Sequence, residues 1–286
     1  MNMKKINRFL FCTTVFSAML FLFSFTAGKK TQIKSVKSAL LNPSYNSKIS
    51  ALIIQNPEEV LTLRKQKNFW SAEKSGILTF ADTKTVENFT SYLTKIRNLY
   101  KISDGKDAKT ELNLTEDSAT IVTVIDENGR IVSKLYFGAD DALTSRITLA
   151  AEKGKNCFET EDDFSPYLKT DLDFWAVPEI FFAIKNPSNL NLSPADLHTL
   201  QSLRHGKILP SSSSVLKKLE IENSVTLYGQ YDSFQRIDFY EYEDAKEGKL
   251  YFYTQKIEPQ EIKDTAVFEV SSWTYDKIKE LLKTKS

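Results

Sequence analysis

The chain is short of the residues that carry most catalytic and metal chemistry. Its 286 residues include only two histidines and two cysteines. Cys12 lies in an apolar N-terminal stretch, so Cys157 has no partner for an intramolecular disulfide in the remainder, and the fold must rest on its core. His198 and His205 fall at or beside the end of one predicted helix. Two histidines and a distant cysteine do not supply the three or four convergent ligands a metal site needs. Glycine (9) and proline (8) are sparse as well, and no glycine-rich phosphate loop, nucleophile elbow or paired-cysteine motif occurs. Net charge is also missing. Against 37 acidic residues stand 38 basic ones, a formal +1, so nucleic-acid binding has no electrostatic support.

Two weaker patterns fail for particular reasons. Ser71/Lys74, Ser103/Lys106 and Ser214/Lys217 have the spacing that lets a lysine take a serine proton across one helical turn. A chain this rich in both residues produces such pairs by chance, and none lies on a predicted helix. Glu159, Glu161, Asp162 and Asp163 form an acidic cluster, yet it lacks the alternating oxygen ligands and central glycine of a calcium loop. Its last two members serve more simply as the start of a helix. No catalytic, cofactor-binding or metal-binding residue is assigned, and the expectation is a protein that is not an enzyme and needs no cofactor.

What the chain has in quantity is aromatic rings: 19 Phe, 12 Tyr and 3 Trp, within 41% hydrophobic and 26% charged residues, a globular composition. It also has an export signal. Lys4, Lys5 and Arg8 precede Phe9–Gly28, which carries no charge, and Lys29-Lys30 closes the stretch. Twenty uncharged positions suffice to span a bilayer, which favours an anchor in the inner membrane with an extracytoplasmic domain. Thr26-Ala27-Gly28 offers the alternative, cleavage after Gly28 and release to the periplasm. Residues 29–48 read as a tether.

Beyond the tether, alternation from Ile49 to Glu73 predicts two short strands joined at Asn56-Pro57. Asp82 begins a predicted helix to Tyr100, with Val86, Phe89, Leu93, Ile96 and Tyr100 as its stripe. Strands follow at 119–126 and 130–138, joined through Asn128-Gly129, then at 146–151 and 157–161, before a helix near Asp163. A second helix starts at Ser193 with Pro194 at its first position. Strands at 218–222, 225–231, 236–243, 249–257 and 266–270 lead to a closing helix from Ser272, using Trp273, Ile278, Leu281 and Leu282. The expected fold class is α+β, with antiparallel β meanders each flanked by helices, built from a duplicated unit spanning 49–183 and 184–286. Phe158-Glu159-Thr160 before Phe164 and Phe268-Glu269-Val270 before Trp273 carry the likeness between the halves.

One constellation suggests a surface. If the loop after Tyr242 places that residue opposite Lys249, then Tyr240, Tyr242, Tyr251 and Tyr253 share one sheet face. Such rings either pack beneath a helix or form an exposed platform that stacks on sugars or lines a protein interface.

Several soft motifs bear a family likeness. Ile49–Ile54 forms an opening strand, Phe69-Trp70 precedes the helix from Asp82, Leu135-Tyr136-Phe137-Gly138 ends a strand, and Cys157-Phe158-Glu159-Thr160 precedes a short helix. With the N-terminal apolar stretch, these resemble the bacterial family of unknown function numbered 4340, over roughly 49–183 and only loosely beyond. The resemblance implies an envelope protein of the kind often linked with gliding-motility-type ABC exporters, and brings no catalytic residues. The expectation is a membrane-anchored, non-enzymatic accessory subunit whose partners are integral-membrane transport subunits. The alternative is a periplasmic glycan- or ligand-binding module using the tyrosine face.

Overall fold

A computed structural model describes residues 35–141, 146–259 and 262–283. The apolar stretch Phe9–Gly28 lies outside the described residues, among which no helix is long and apolar enough to cross a membrane.

Period-two alternation dominates the sequence, and the structure follows it. Strands β1 (Ser35–Ser38), β2 (Ile49–Gln55), β3 (Val60–Lys65), β4 (Trp70–Lys74) and β5 (Ile77–Ala81) belong to one ten-stranded sheet. Its other members are β6 (Arg97–Ser103), β7 (Thr120–Asp126), β8 (Ile131–Asp141), β9 (Arg146–Ala151) and β10 (Cys157–Thr160). The order is β1-β6-β10-β9-β8-β7-β2-β3-β4-β5. A four-stranded sheet holds β11 (Glu220–Tyr228), β12 (Phe234–Asp244), β13 (Gly248–Glu258) and β14 (Phe268–Val270) in chain order. Neighbouring strands pair antiparallel in both sheets.

Helix is scarce. It comprises α1 (Thr83–Thr94), the single turns α2 (Ala108–Glu111) and α3 (Leu172–Trp175), α4 (Pro194–Ser202), α5 (Ser272–Lys283) and three short 3-10 turns. These findings overturn the α+β expectation and the duplicated unit. The strands of 119–161 do not stand as a meander of their own, because β7 pairs with β2 and joins them to the strands of 49–81 in one ladder. The second half offers four strands against ten, so no repeated unit relates the halves. Residues 35–48, within the stretch read as a tether, supply edge strand β1 and a 3-10 turn (Pro43–Lys48).

Local chemistry accounts for several element ends. Asp82 caps α1, its carboxylate accepting the Lys84 and Thr85 N–H groups at 3.2 and 3.3 Å. Val86, Phe89 and Leu93 bury the predicted stripe, but α1 stops at Thr94, and Arg97 to Ser103 extend as β6. Ile96, expected inside, is 64% exposed. The hydrogen bonds available between β1 and β10 claim β6 for the sheet against its helical spacing. Near Asp163 the expected helix reduces to a 3-10 turn and α3. In α5, Tyr275, Ile278 and Leu281 are buried, whereas Trp273 stands 67% exposed.

One core runs through both sheets, and the segment 175–184 is its seam. On one side, Asp82 N–H donates to the Trp175 carbonyl (2.8 Å) and Val177 N–H to the Phe80 carbonyl (3.0 Å), extending the edge at β5. On the other, Ile180 N–H donates to the Leu203 carbonyl (2.9 Å) and His205 N–H to the Pro178 carbonyl (3.1 Å). Trp175, Ile180 and Phe181 are buried between them. Phe89 stacks on Tyr167 at 5.0 Å and lies 5.8 Å from the Trp175 ring, whose Nε1 donates to the Lys169 carbonyl (2.8 Å).

Truncating Trp175 to alanine removes a fully buried ring from this seam. The expected loss is about 3–5 kcal/mol in urea unfolding, against less than about 0.5 kcal/mol for Tyr231→Ala at an exposed loop.

Candidate functional site

The four tyrosines singled out in the sequence lie on β12 and β13, and register decides where they point. Asp244 pairs with Gly248, closing a three-residue loop. The Asp244 carboxylate accepts the Lys246 N–H (2.8 Å) and Glu247 N–H (3.1 Å), and Gly248 takes φ +77°. Tyr242 therefore faces Leu250 rather than Lys249, a slip of one residue from the expected pairing. Such a slip moves every side chain of one strand to the opposite face.

The tyrosines accordingly divide two and two. Tyr253 lies opposite Phe239 and stacks on Phe268 at 4.7 Å, and Tyr251 stacks at 4.2 Å on Tyr275 of α5. These two pack beneath the terminal helix. Burial holds the Tyr253 hydroxyl well above its usual range, and the Asp264 carboxylate adds to the effect. Tyr240 and Tyr242 occupy the other face with Leu250 and Phe252. Both are half-buried; the Tyr240 hydroxyl lies 3.1 Å from Thr254 Oγ1, and Lys218 Nζ sits 5.6 Å from the Tyr242 ring centre. No single face presents all four rings.

A second group of polar residues converges where the sheets meet, and sequence reasoning passed over it. Gln235 Nε2 donates to the Ile180 carbonyl (2.7 Å) and to Gln255 Oε1 (3.1 Å), while Ala183 N–H donates to Gln235 Oε1 (3.2 Å). Gln255 Nε2 donates in turn to Asp264 Oδ2 (2.8 Å), which also accepts Thr79 Oγ1–H from β5 (2.9 Å). Ala266 N–H donates to Asp264 Oδ1 (2.9 Å). The chain of bonds thus runs from the seam, across the second sheet, to the edge of the first. Its signal in the sequence is faint: Gln235 and Gln255 sit at inward positions of strands whose other inward residues include Ile237, Phe239, Tyr253 and Ile257.

Burial raises the Asp264 carboxyl to about 6, with the Ala266 N–H, Gln255 and Thr79 bonds opposing it. A cleft of about 540 Å³ adjoins it, lined by Lys256, Glu258 and Lys263 among others.

The remaining candidates are committed to structure. Glu159 and Glu161 pair with Arg146, Asp162 with Arg97, and Asp163 accepts the Ser165 N–H (2.9 Å). Arg97 is buried, its guanidinium 4.7 Å from the Tyr92 ring centre and 4.6 Å from that of Phe164. His205 has one ring nitrogen 2.7 Å from the Gly206 carbonyl and the other 3.0 Å from that of Val177. His198 is exposed beside a cleft of about 480 Å³. Cys157 is fully buried, which pushes its thiol up. Among the described residues no three His, Cys, Asp or Glu side chains converge on one point.

Asp264 makes stability depend on pH. Its folded value of about 6 exceeds an unfolded value of about 3.9, so the folded state holds the proton more tightly. That contribution is complete below about pH 4 and is lost as pH rises through about 6, a change of up to about 3 kcal/mol. Melting curves of the wild type and Asp264→Asn should therefore differ by an amount that changes across this window. A constant difference would sink the assignment. Comparison with family models, with curated proteins and with solved structures finds no match to this chain.

Proposed function

We propose that this chain is a membrane-anchored, non-enzymatic extracytoplasmic protein that serves as an accessory subunit of an ABC-type transport complex. The observation that carries the reading is where the chain enters the fold. Six residues, 29–34, separate the uncharged stretch Phe9–Gly28 from Ser35, the first residue of β1. Six residues span at most about 20 Å when extended. With that stretch in the bilayer, the ten-stranded sheet is held at the membrane surface, where association with a permease requires little further loss of orientational freedom. The resemblance to the envelope family numbered 4340, on the residues named above, supports transport subunits as partners.

Glycan binding by a tyrosine platform draws no support from the second sheet. That reading needed Tyr240, Tyr242, Tyr251 and Tyr253 on one face, and they point to two.

Replacing residues 1–28 by a signal that is cleaved should release the domain to the soluble fraction and abolish co-purification with permease and ATPase subunits after cross-linking of intact cells. Unchanged recovery of those subunits would count against the anchor. Recovery of the wild-type protein alone would count against the transport role.

A further inference from the structure

Between the two sheets the chain runs as two extended strips that meet their neighbours through single bridges. Ala176 bridges to Ala81 of β5, Glu179 to Arg204, and Ile208 to Phe268 of β14. Residues 176–180 and 203–209 thus carry backbone pairing from the edge of the first sheet to the edge of the second. Gly206 N–H and Glu269 N–H complete the last step, donating to the Glu269 and Lys207 carbonyls at 2.7 Å each. A joint built of one-residue bridges has few backbone bonds to break, so it opens more easily than the ladders on either side.

One side chain reinforces this joint. His205 lies half-buried in the second strip. Its Nδ1 is 2.7 Å from the Gly206 carbonyl oxygen and its Nε2 is 3.0 Å from that of Val177. Its ring centre lies 4.7 Å from that of Phe268. A carbonyl oxygen only accepts, and a neutral imidazole has a single N–H to give. The doubly protonated ring alone donates to both carbonyls. Its charge also suits the neighbouring phenyl ring, which attracts cations.

The charged residues on the surrounding elements leave room for that charge. Glu179 and Arg204 pair at 3.4 Å, and the Asp173 carboxylate of α3 accepts the Ile208 N–H (2.6 Å). Lys207 follows in the strip, and Glu269 stands on β14. Carboxylates outnumber cations here, so no excess of positive charge opposes an imidazolium.

We propose that His205 is a proton-operated clasp on the joint between the sheets. With both ring nitrogens protonated it ties Val177, beside β5, to Gly206, beside β14; with one proton gone it releases one of the two carbonyls. Histidine is the side chain whose ordinary charge change falls between about pH 5 and 8, so the joint tightens in acid and loosens in alkali. Asp264 bonds across the same junction, between Gln255 and Thr79, and is the group from which His205 has to be told apart. The clasp does not depend on how the chain is anchored.

The test uses the full chain labelled with ¹⁵N-histidine, carrying His198→Gln so that His205 alone contributes ring signals. Two hydrogen-bonded ring N–H signals are expected at about pH 5.5 and one at about pH 8. Amide exchange of Ile180 and His205, whose N–H groups bond across the two strips, gives the second readout. Their protection, corrected for intrinsic exchange, should fall at least about threefold over the same interval. His205→Gln should abolish that fall, and Asp264→Asn should leave it in place. A single ring signal at both pH values, or protection that does not change, overturns the clasp. A fall that persists in His205→Gln and vanishes in Asp264→Asn assigns the response to Asp264 and overturns it as well. Should His205→Gln fail to fold, the ring signals of the parent chain and the Asp264→Asn variant decide between the two groups.

Discussion

Hydrogen bonding along the outer side of β5 is the constraint on which the rest of the structure depends. As the last strand of a ten-stranded sheet, β5 would present unpaired amides and carbonyls to solvent. Two distant segments cover it. Val177 and Asp82 complete backbone bonds across the seam, while Leu78 donates to Thr265 Oγ1 (2.9 Å) and accepts the Thr265 N–H (2.8 Å). The second segment arrives from the strand connection β13–β14, so the covering of one sheet's edge fixes the position of the other sheet. Gly206 and Glu269 do the same for β14, with Gly206 N–H donating to the Glu269 carbonyl at 2.7 Å.

Polar groups inside this seam make its geometry specific. Apolar contacts tolerate sliding, but a buried amide that loses its partner costs about 1–3 kcal/mol. Gln235, Gln255, Asp264 and Thr79 bond in series, so displacement of either sheet breaks at least one of these bonds. Arg97 plays a comparable part at the far side of the first sheet. It lies between two rings and beside Asp162, joining the end of α1 to the segment after β10. Both groups place an ionisable side chain in contacts that join separate elements of the fold.

Legibility in the sequence followed the range of the physics involved. Asn128-Gly129, the Asp82 cap and Ser193-Pro194 depend on neighbours in the chain, and each lies where the sequence placed it. The α1 stripe was legible only through Leu93, because the positions beyond it answer to β1 and β10 rather than to helical spacing. Trp273 illustrates the converse. Its hydrophobicity suggested core, yet Tyr275, one turn face away, fills the space under α5 by stacking on Tyr251. The tyrosine face was misread by one residue, since three loop residues with glycine at positive φ set a register that alternation alone leaves open.

The sequence by itself determined most of the antiparallel strands and the main turns and caps, because these rest on period-two patterning and local backbone preference. Only the tertiary structure decided that ten strands share one sheet, which tyrosines face the core, and that Asp264 lies within a bonded series between two sheets. Those outcomes require residues far apart in the chain to compete for the same hydrogen bonds and the same volume, and no local pattern records who wins.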